Sequence, residues 1–308
     1  MFRTIYVRVI LVFLLIASAS FAQNNRSAVS VNGSDANPCT TVSPCRSFGI
    51  ALAHTNAGGE VIALDSGGYG AFTISQPVSV IGAPGIHAAL TATSGDGIDV
   101  TAGASDIVRI INLRISILAT SGYGIHATGF GSLTIDNCTV SGGLHSVGIS
   151  GPSSSRTYIS DTVVRAADNV GYYFESAGSL VRARAEGCGN AGLYLQNGAV
   201  GSGVVSAVEY VGVGNTYGVS LYTSIPGPIV KLNLDRALIA NNSNDGILTY
   251  AVDTSTAAVG VSNSMITDNG GYGFHQTGSS TFGTMKNNLV TGNFFGPSAG
   301  SITTLQAN

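Results

Sequence analysis

Gly171-Tyr-Tyr-Phe174, Gly192-Leu-Tyr-Leu195, Gly218-Val-Ser-Leu221 and Gly246-Ile-Leu-Thr249 repeat one pattern, a glycine followed by a short apolar-rich segment. The pattern extends on either side as Gly97-Ile-Asp-Val100, Gly124-Ile-His-Ala127, Gly148-Ile-Ser150 and Gly273-Phe-His-Gln276. Successive glycines are roughly 27, 24, 23, 21, 26, 28 and 27 residues apart. A period of about 20 to 50 residues marks stacked repeats, because one such unit is too small to bury its own apolar face.

A second apolar run follows in most units, at 107–115, 133–140, 158–164, 230–239, 259–266 and 285–290, and each is expected as one strand. Polar turn residues recur within them, notably Asn137, Asp161, Asn263 and Asn287. Stacked amides bond up and down a pile, and Asn also fits a left-handed turn. The frame of a leucine-rich repeat is absent, propeller blades are longer, and antiparallel sandwiches do not place one glycine per interval. The prediction is an all-β fold, a single-stranded right-handed parallel β-helix of roughly ten coils with a short N-terminal capping helix.

The N-terminal part reads differently. Residues 28–31 are expected as a strand, and Ser43-Pro44 as N-cap and first helical residue. Phe48, Ala51 and Leu52 form the helix's apolar stripe, and Gly58-Gly59 its stop. Strands are expected at 60–64, 72–74 and 77–82, with a turn at 65–68. A helix here covers the open end of a solenoid, which otherwise exposes unpaired strand groups.

Residues 1–22 have the three parts of a secretory signal peptide: Arg3 and Arg8, an apolar core at 9–17, and Ser20-Phe21-Ala22 as a small-x-small cleavage site. The apolar run is about half the roughly 20 residues of a spanning helix. A secreted, periplasmic or cell-surface protein is expected, with no membrane span after signal removal. The expected division is 1–22 signal peptide, 23–82 cap and first coils, 83–295 coils, and 296–308 C-terminal tail.

Composition agrees with many short strands: 44% hydrophobic, 9% charged, and no Trp. Without Arg3 and Arg8, 11 basic residues face 16 acidic ones, a net charge of −5, with only Lys231 and Lys286 as lysines. That excludes the basic footprint of a nucleic-acid binder. Cys39 and Cys45, close together in a Pro-rich loop of an exported chain, are expected to form a disulfide. Cys138 and Cys188, two coils apart, are out of disulfide reach and read as small buried residues. No Cys/His cluster has zinc-site spacing.

The stretch Ala36-Asn-Pro-Cys39, Pro44-Cys45-Arg-Ser-Phe48, Gly58-Gly-Glu-Val61, Leu64-Asp-Ser-Gly-Gly-Tyr-Gly70, Thr73-Ile74 and Val78-Ser-Val-Ile-Gly82 resembles the opening of secreted bacterial right-handed parallel β-helix repeat proteins, of the pectin-lyase-like superfamily. The resemblance runs from about residue 28 to the end and implies the fold; the close group has no defined function, and fold alone does not assign one. The superfamily's enzymes carry Asn-Thr-Asp, Asp-Asp, His-Gly and Arg-Ile-Lys sets, or Gln-Asp-Thr-Leu, or Asp-Pro-His-Glu; none occurs here. The calcium-binding Gly-Gly-x-Gly-x-Asp repeat is also absent, and Gly95-Asp-Gly-Ile-Asp99 only echoes it.

Strand alternation assigns faces. One and three residues after each repeat glycine the chain is mostly apolar and should point inward. Positions two and four residues after should point outward. The first outward row reads Asp99, His126, Ser150, Tyr173, Tyr194, Ser220, Leu248 and His275; the second holds Glu175, Gln196, Tyr222 and Tyr250. The candidate ligand-binding residues are therefore Tyr173, Glu175, Tyr194, Gln196, Tyr222 and Tyr250. Tyrosine faces pack on sugar C–H surfaces while amides and carboxylates bond hydroxyls; tyrosine is also an ordinary β-surface residue. His126 and His275 read as surface residues. Four Glu and twelve Asp make carboxylate pairs for hydrolysis scarce. No catalytic residue is assigned; a divergent lyase or hydrolase site has Glu175, Arg182 and Arg184 as candidates, and the two arginines, expected on one strand near Glu175 and Glu186, read either as binding an acidic sugar or as a solvated ion-pair cluster. The expectation is a non-catalytic monomer that binds a polysaccharide or cell-surface ligand along one flank, with no cofactor, metal or nucleic acid. The alternatives are that divergent enzyme and a purely structural or adhesion solenoid.

Overall fold

The computed structural model describes residues 23–197, 203–224, 229–252 and 255–305; the expected signal peptide lies outside them. The chain winds into three parallel sheets. Each coil adds one strand to every sheet in turn. Ile107–Ile111 joins the first sheet, Leu113–Ile117 the second and Tyr123–Gly129 the third, before Ser132–Asp136 returns to the first. Among the described residues the first sheet has 12 strands and the other two have 10 each. Buried Ile98, Val100, Ile125, Ala127, Leu193, Leu195, Val219 and Leu221 of the third sheet face the core, as alternation requires.

The repeat glycines sit at the entrance to the third sheet. Gly97, Gly124, Gly171, Gly192, Gly218, Gly246 and Gly273 are absent from the positive-φ positions, so backbone freedom is not their reason. Close approach is. A Cβ on Gly218 would lie 2.8 Å from the Gly246 carbonyl oxygen, and one on Gly246 equally near that of Gly273.

The expected strand 285–290 is a strand only from Leu289, after a turn, and the other five are each two strands, as are the corresponding runs 178–186 and 203–213. One left-handed residue breaks them: Asn112, Asn137, Asp161, Arg182, Glu209, Arg236 and Asn263 all have φ between 47° and 57°. Asn and Asp tolerate that region. Arg182, Glu209 and Arg236 hold it inside a ladder of corner side chains, where Arg182 clasps Asp161 through two bonds of 2.6 Å and Arg236 reaches Glu209 at 3.3 Å. Asn137 donates to Asn112, and Asn287 to Asn263. Both expected roles of these residues, turn and stack, are met at Asn137 and Asn263.

A second ladder is buried at the turn from the second sheet to the third. Asn215 Nδ2 donates to Asn242 Oδ1 at 3.1 Å, Asn242 to Asn269 at 2.8 Å, and Asn269 to Asn293 at 2.7 Å. Cys188 lies on this corner, where its N–H donates to Asn215 Oδ1. Cys138 lies on the other corner, after Asn137. The two cysteines are free and buried, as expected, but do not share one stack; burial pushes each thiol up to about 11.

At the N-terminal end the first strand is Asn24–Val29, and the helix is Phe48–Ala53. Its N-cap is Ser47, not Ser43. The reason is Asp35, whose carboxylate accepts the N–H groups of Arg46 and Ser47 at 2.9 Å each and the Ser47 hydroxyl at 3.0 Å. The helix ends at Ala53 with His54 as C-cap, before Gly58, which already belongs to strand Thr55–Ala63. Phe48 packs 5.1 Å from Tyr69 and 5.0 Å from Phe72, closing the core. Gly67–Gly68, expected as turn, is the first strand of the second sheet. Cys39 and Cys45 form the expected disulfide, with Cα atoms 4.6 Å apart.

Candidate ligand-binding face

Strand pairing fixes the outer face of the third sheet. The first outward row is Asp99, His126, Gly148, Tyr173, Tyr194, Ser220, Leu248 and His275, each level with the next. One member differs from expectation: Gly148, not Ser150, is in this row, and Ser146 takes the repeat-glycine place. The inward pair of that coil is Val147 and Ile149, both fully buried. Gly148 makes room for a ring, since a Cβ there would lie 2.5 Å from Tyr123. In the second row Gln196, Tyr222 and Tyr250 are level, and Glu175 follows Phe174, the partner of Leu195. The six candidates thus share one face over four coils, about 14 Å at about 4.8 Å per coil.

Four of them interlock. Tyr173 Oη donates to Glu175 Oε1 at 2.6 Å, and Gln196 Nε2 donates to the same oxygen at 2.7 Å and to Tyr173 Oη. The rings of Tyr173 and Tyr194 are parallel within 6°, centroids 5.8 Å apart. Tyr222 and Tyr250 form a second parallel pair, 5.5 Å apart, two residues further along the strands. Burial and then Glu175 push the Tyr173 hydroxyl well above the usual tyrosine range, and burial pushes Tyr194 up to about 12. Both are intact hydroxyl groups at neutral pH.

Two residues of this face escaped the sequence reading. Tyr123 and His145 lie just ahead of the outward rows, level with each other, and complete a column of rings. His126 stacks 4.3 Å from Tyr123; Tyr123 is 4.9 Å from His145; His145 stacks 4.7 Å from Tyr173. His145 is 7% exposed, and its Nδ1 has no hydrogen-bond partner among the described residues. Burial, then the nearby His126, pull its pKa down to about 4, with Glu175 opposing. The available signal was the aromatic ring just ahead of the repeat position in four coils, Tyr123, His145, Tyr217 and Tyr272.

His126 and His275 are held rather than loose. Asp96 accepts the Tyr123 N–H at 2.7 Å and meets His126 Nδ1 at 3.0 Å. Asp245 does the same for Tyr272 at 2.7 Å and His275 at 2.8 Å. The sequence carries this clasp twice, as Asp-Gly-Ile in one coil and Tyr-Gly-x-His in the next. Asp96, Asp99 and His126 each place one donor atom within 4.8 Å of the others, a set able to take a divalent cation. The second clasp has Leu248 where the first has Asp99, so the Asp–His pairing stands without a third ligand. Burial and then Asp96 raise the Asp99 pKa.

The alternative catalytic set is dispersed. Glu175 follows a strand of the third sheet, Arg184 begins a strand of the second, and Arg182 is the left-handed residue between the first two sheets. Arg184 and Arg165 both bind Glu186, which lowers its pKa against burial.

No family model matches this sequence, and no curated protein does. Among solved structures, a crystal structure of pectate lyase Pel9A aligns with a TM-score of 0.67 at 14% identity, covering 92% of this chain and 80% of that one. The chain shares the parallel β-helix fold of that lyase. A rhamnogalacturonan lyase aligns with a TM-score of 0.49 at 12% identity, over 87% of this chain and 73% of that one. At such identity the likeness of this β-helix to the pectate lyase is one of fold. No helix among the described residues is long and apolar enough to cross a membrane.

Proposed function

We propose that this β-helix is a non-catalytic binding protein, exported to the periplasm, the cell surface or beyond, that holds a glycan against the outer face of its third sheet. The interlocked Tyr173, Glu175 and Gln196 beside Tyr194 carry the reading. Half-exposed parallel rings offer apolar surface to sugar C–H groups, while the hydroxyls, amide and carboxylate offer partners for sugar hydroxyls. The pectate lyase fold is in keeping with an extended ligand lying across coils. The Cys39–Cys45 disulfide suits an oxidising compartment.

Hydrolysis calls for two carboxyl groups facing each other across a sugar. Glu175 is the single carboxylate among the six residues, and its Oε1 already accepts two hydrogen bonds. A glycan array probed with the purified protein, with the bound sugars then analysed for cleavage, tests the reading. Binding without cleavage is expected. New reducing or unsaturated ends would make the protein an enzyme, and an empty array would favour a structural or adhesion role.

A further inference from the structure

The basic residues avoid one side of the molecule. The 11 Lys and Arg beyond residue 22 all fall in the described residues. Arg26, Arg109, Arg156 and Lys231 are on the first sheet, and Arg114, Arg165 and Arg184 on the second. Arg182, Arg236 and Lys286 are at the turn between those sheets, and Arg46 is in the N-terminal loop. None of the third sheet's ten strands contains a Lys or Arg.

That sheet does carry acids. Asp99 is in its first outward row, Glu175 follows the strand of Tyr173, and Asp96 and Asp245 clasp its histidines. Its histidines present no open ring nitrogen cation to a ligand, because each is packed or paired. His145 is buried between rings with its pKa pulled down, and His126 and His275 sit against carboxylates. The field over the tyrosines is therefore negative. A carboxylated sugar chain meets repulsion from these carboxylates there, and no guanidinium or ammonium on the sheet's strands to pair with its acid groups. Hydroxyls are different, because the Glu175 carboxylate, the Gln196 amide and the tyrosine hydroxyls bond them without a charge on the ligand.

We infer that the glycan held by the Tyr173–Tyr250 face is an uncharged chain, not a polyuronate. The inference rests on the glycan-binding reading and names its ligand class. It separates this face from pectate, the polymer for which the lyase of the same fold is named.

The test is a competition on the purified protein between a panel of neutral polysaccharides (β-glucan, galactan, mannan, arabinan) and polygalacturonate of matched length. It is run at low and high salt, on the native chain and on Tyr194→Ala and Tyr222→Ala. Binding lost in both variants belongs to this face; circular dichroism checks that they fold. The expected result is at least one neutral chain bound at least tenfold more tightly than polygalacturonate at low salt. The gap should narrow as salt screens the repulsion and again in Glu175→Gln. Polygalacturonate or a cationic chitosan chain bound here as tightly as any neutral chain would overturn the inference and leave glycan binding standing. No variant-sensitive binding of any polymer would overturn both.

Discussion

Acid should destabilise this protein through His145. Its imidazole lies between the rings of Tyr123 and Tyr173. Burial, with His126 adding to it, depresses its pKa from 6.5 to about 4, while Glu175 pulls the other way. The unfolded chain then binds more protons than the folded one between those two values, so stability rises with pH across that window and falls on acidification. The interval corresponds to a limit of about 3 kcal/mol, at about 1.4 kcal/mol per decade. Between pH 7 and pH 5 the loss is about 2 kcal/mol. Urea unfolding at pH 7, 6 and 5 measures it. Asp161, Glu186 and Asp235 also lose stabilising contacts in acid, but their pKa values are lowered from 3.8, 4.5 and 3.8, so that loss sets in below the pH 7 to 5 range. His145→Phe isolates the effect, because it keeps a ring in the column and cannot titrate. The variant should match or exceed the native protein at pH 7, since the unpartnered Nδ1 is gone, and should lose about 2 kcal/mol less on going to pH 5. Equal acid sensitivity in the two proteins would remove His145 as the source of the effect.

Three further outcomes follow from the packing. Asn242→Ala removes the side-chain bonds to Asn269 and the Gly212 carbonyl, orphans the Asn215 backbone N–H and leaves Asn215 Nδ2 only the Ala185 carbonyl; it should cost about 2 to 4 kcal/mol in chemical denaturation. Gly218→Ala places a methyl 2.8 Å from the Gly246 carbonyl and should cost about 3 kcal/mol or more by overpacking. Ser146→Gly, at the equivalent place in its coil, should lower the melting temperature far less. Reducing the Cys39–Cys45 bond, or replacing both residues by Ser, should cost about 2 kcal/mol for so short a loop, read as a lower melting temperature.

The stacked fold was legible because its cause repeats. A glycine is needed in coil after coil where the next coil's carbonyl comes close, and the inward alternation behind it is regular. The corners were harder to read. A single left-handed residue splits 107–115 at Asn112 and 230–239 at Arg236, and Arg or Glu at such a place leaves no compositional mark. The helix start was misplaced because the group that holds its N-cap Ser47 in place is Asp35, 12 residues earlier, and tertiary contacts do not show in a local pattern. The register of one coil was wrong by two residues because 144–149 contains one glycine, and that glycine makes room for Tyr123 rather than serving as the repeat position. The six face residues were legible from alternation. Tyr123 and His145 were not, because they open their strands one residue ahead of the repeat position, where a count that starts at the glycine does not reach.

Sugar binding by the tyrosine face is tested most directly by calorimetric titration. The best-bound neutral oligosaccharide is titrated into the native protein and into the Tyr173→Ala, Tyr194→Ala double variant. A saturable isotherm is expected, weakened at least tenfold, about 1.4 kcal/mol, in a variant whose fold and melting curve stay close to native. An unchanged affinity in the double variant would mean that the sugar is held elsewhere and that these rings do not bind it.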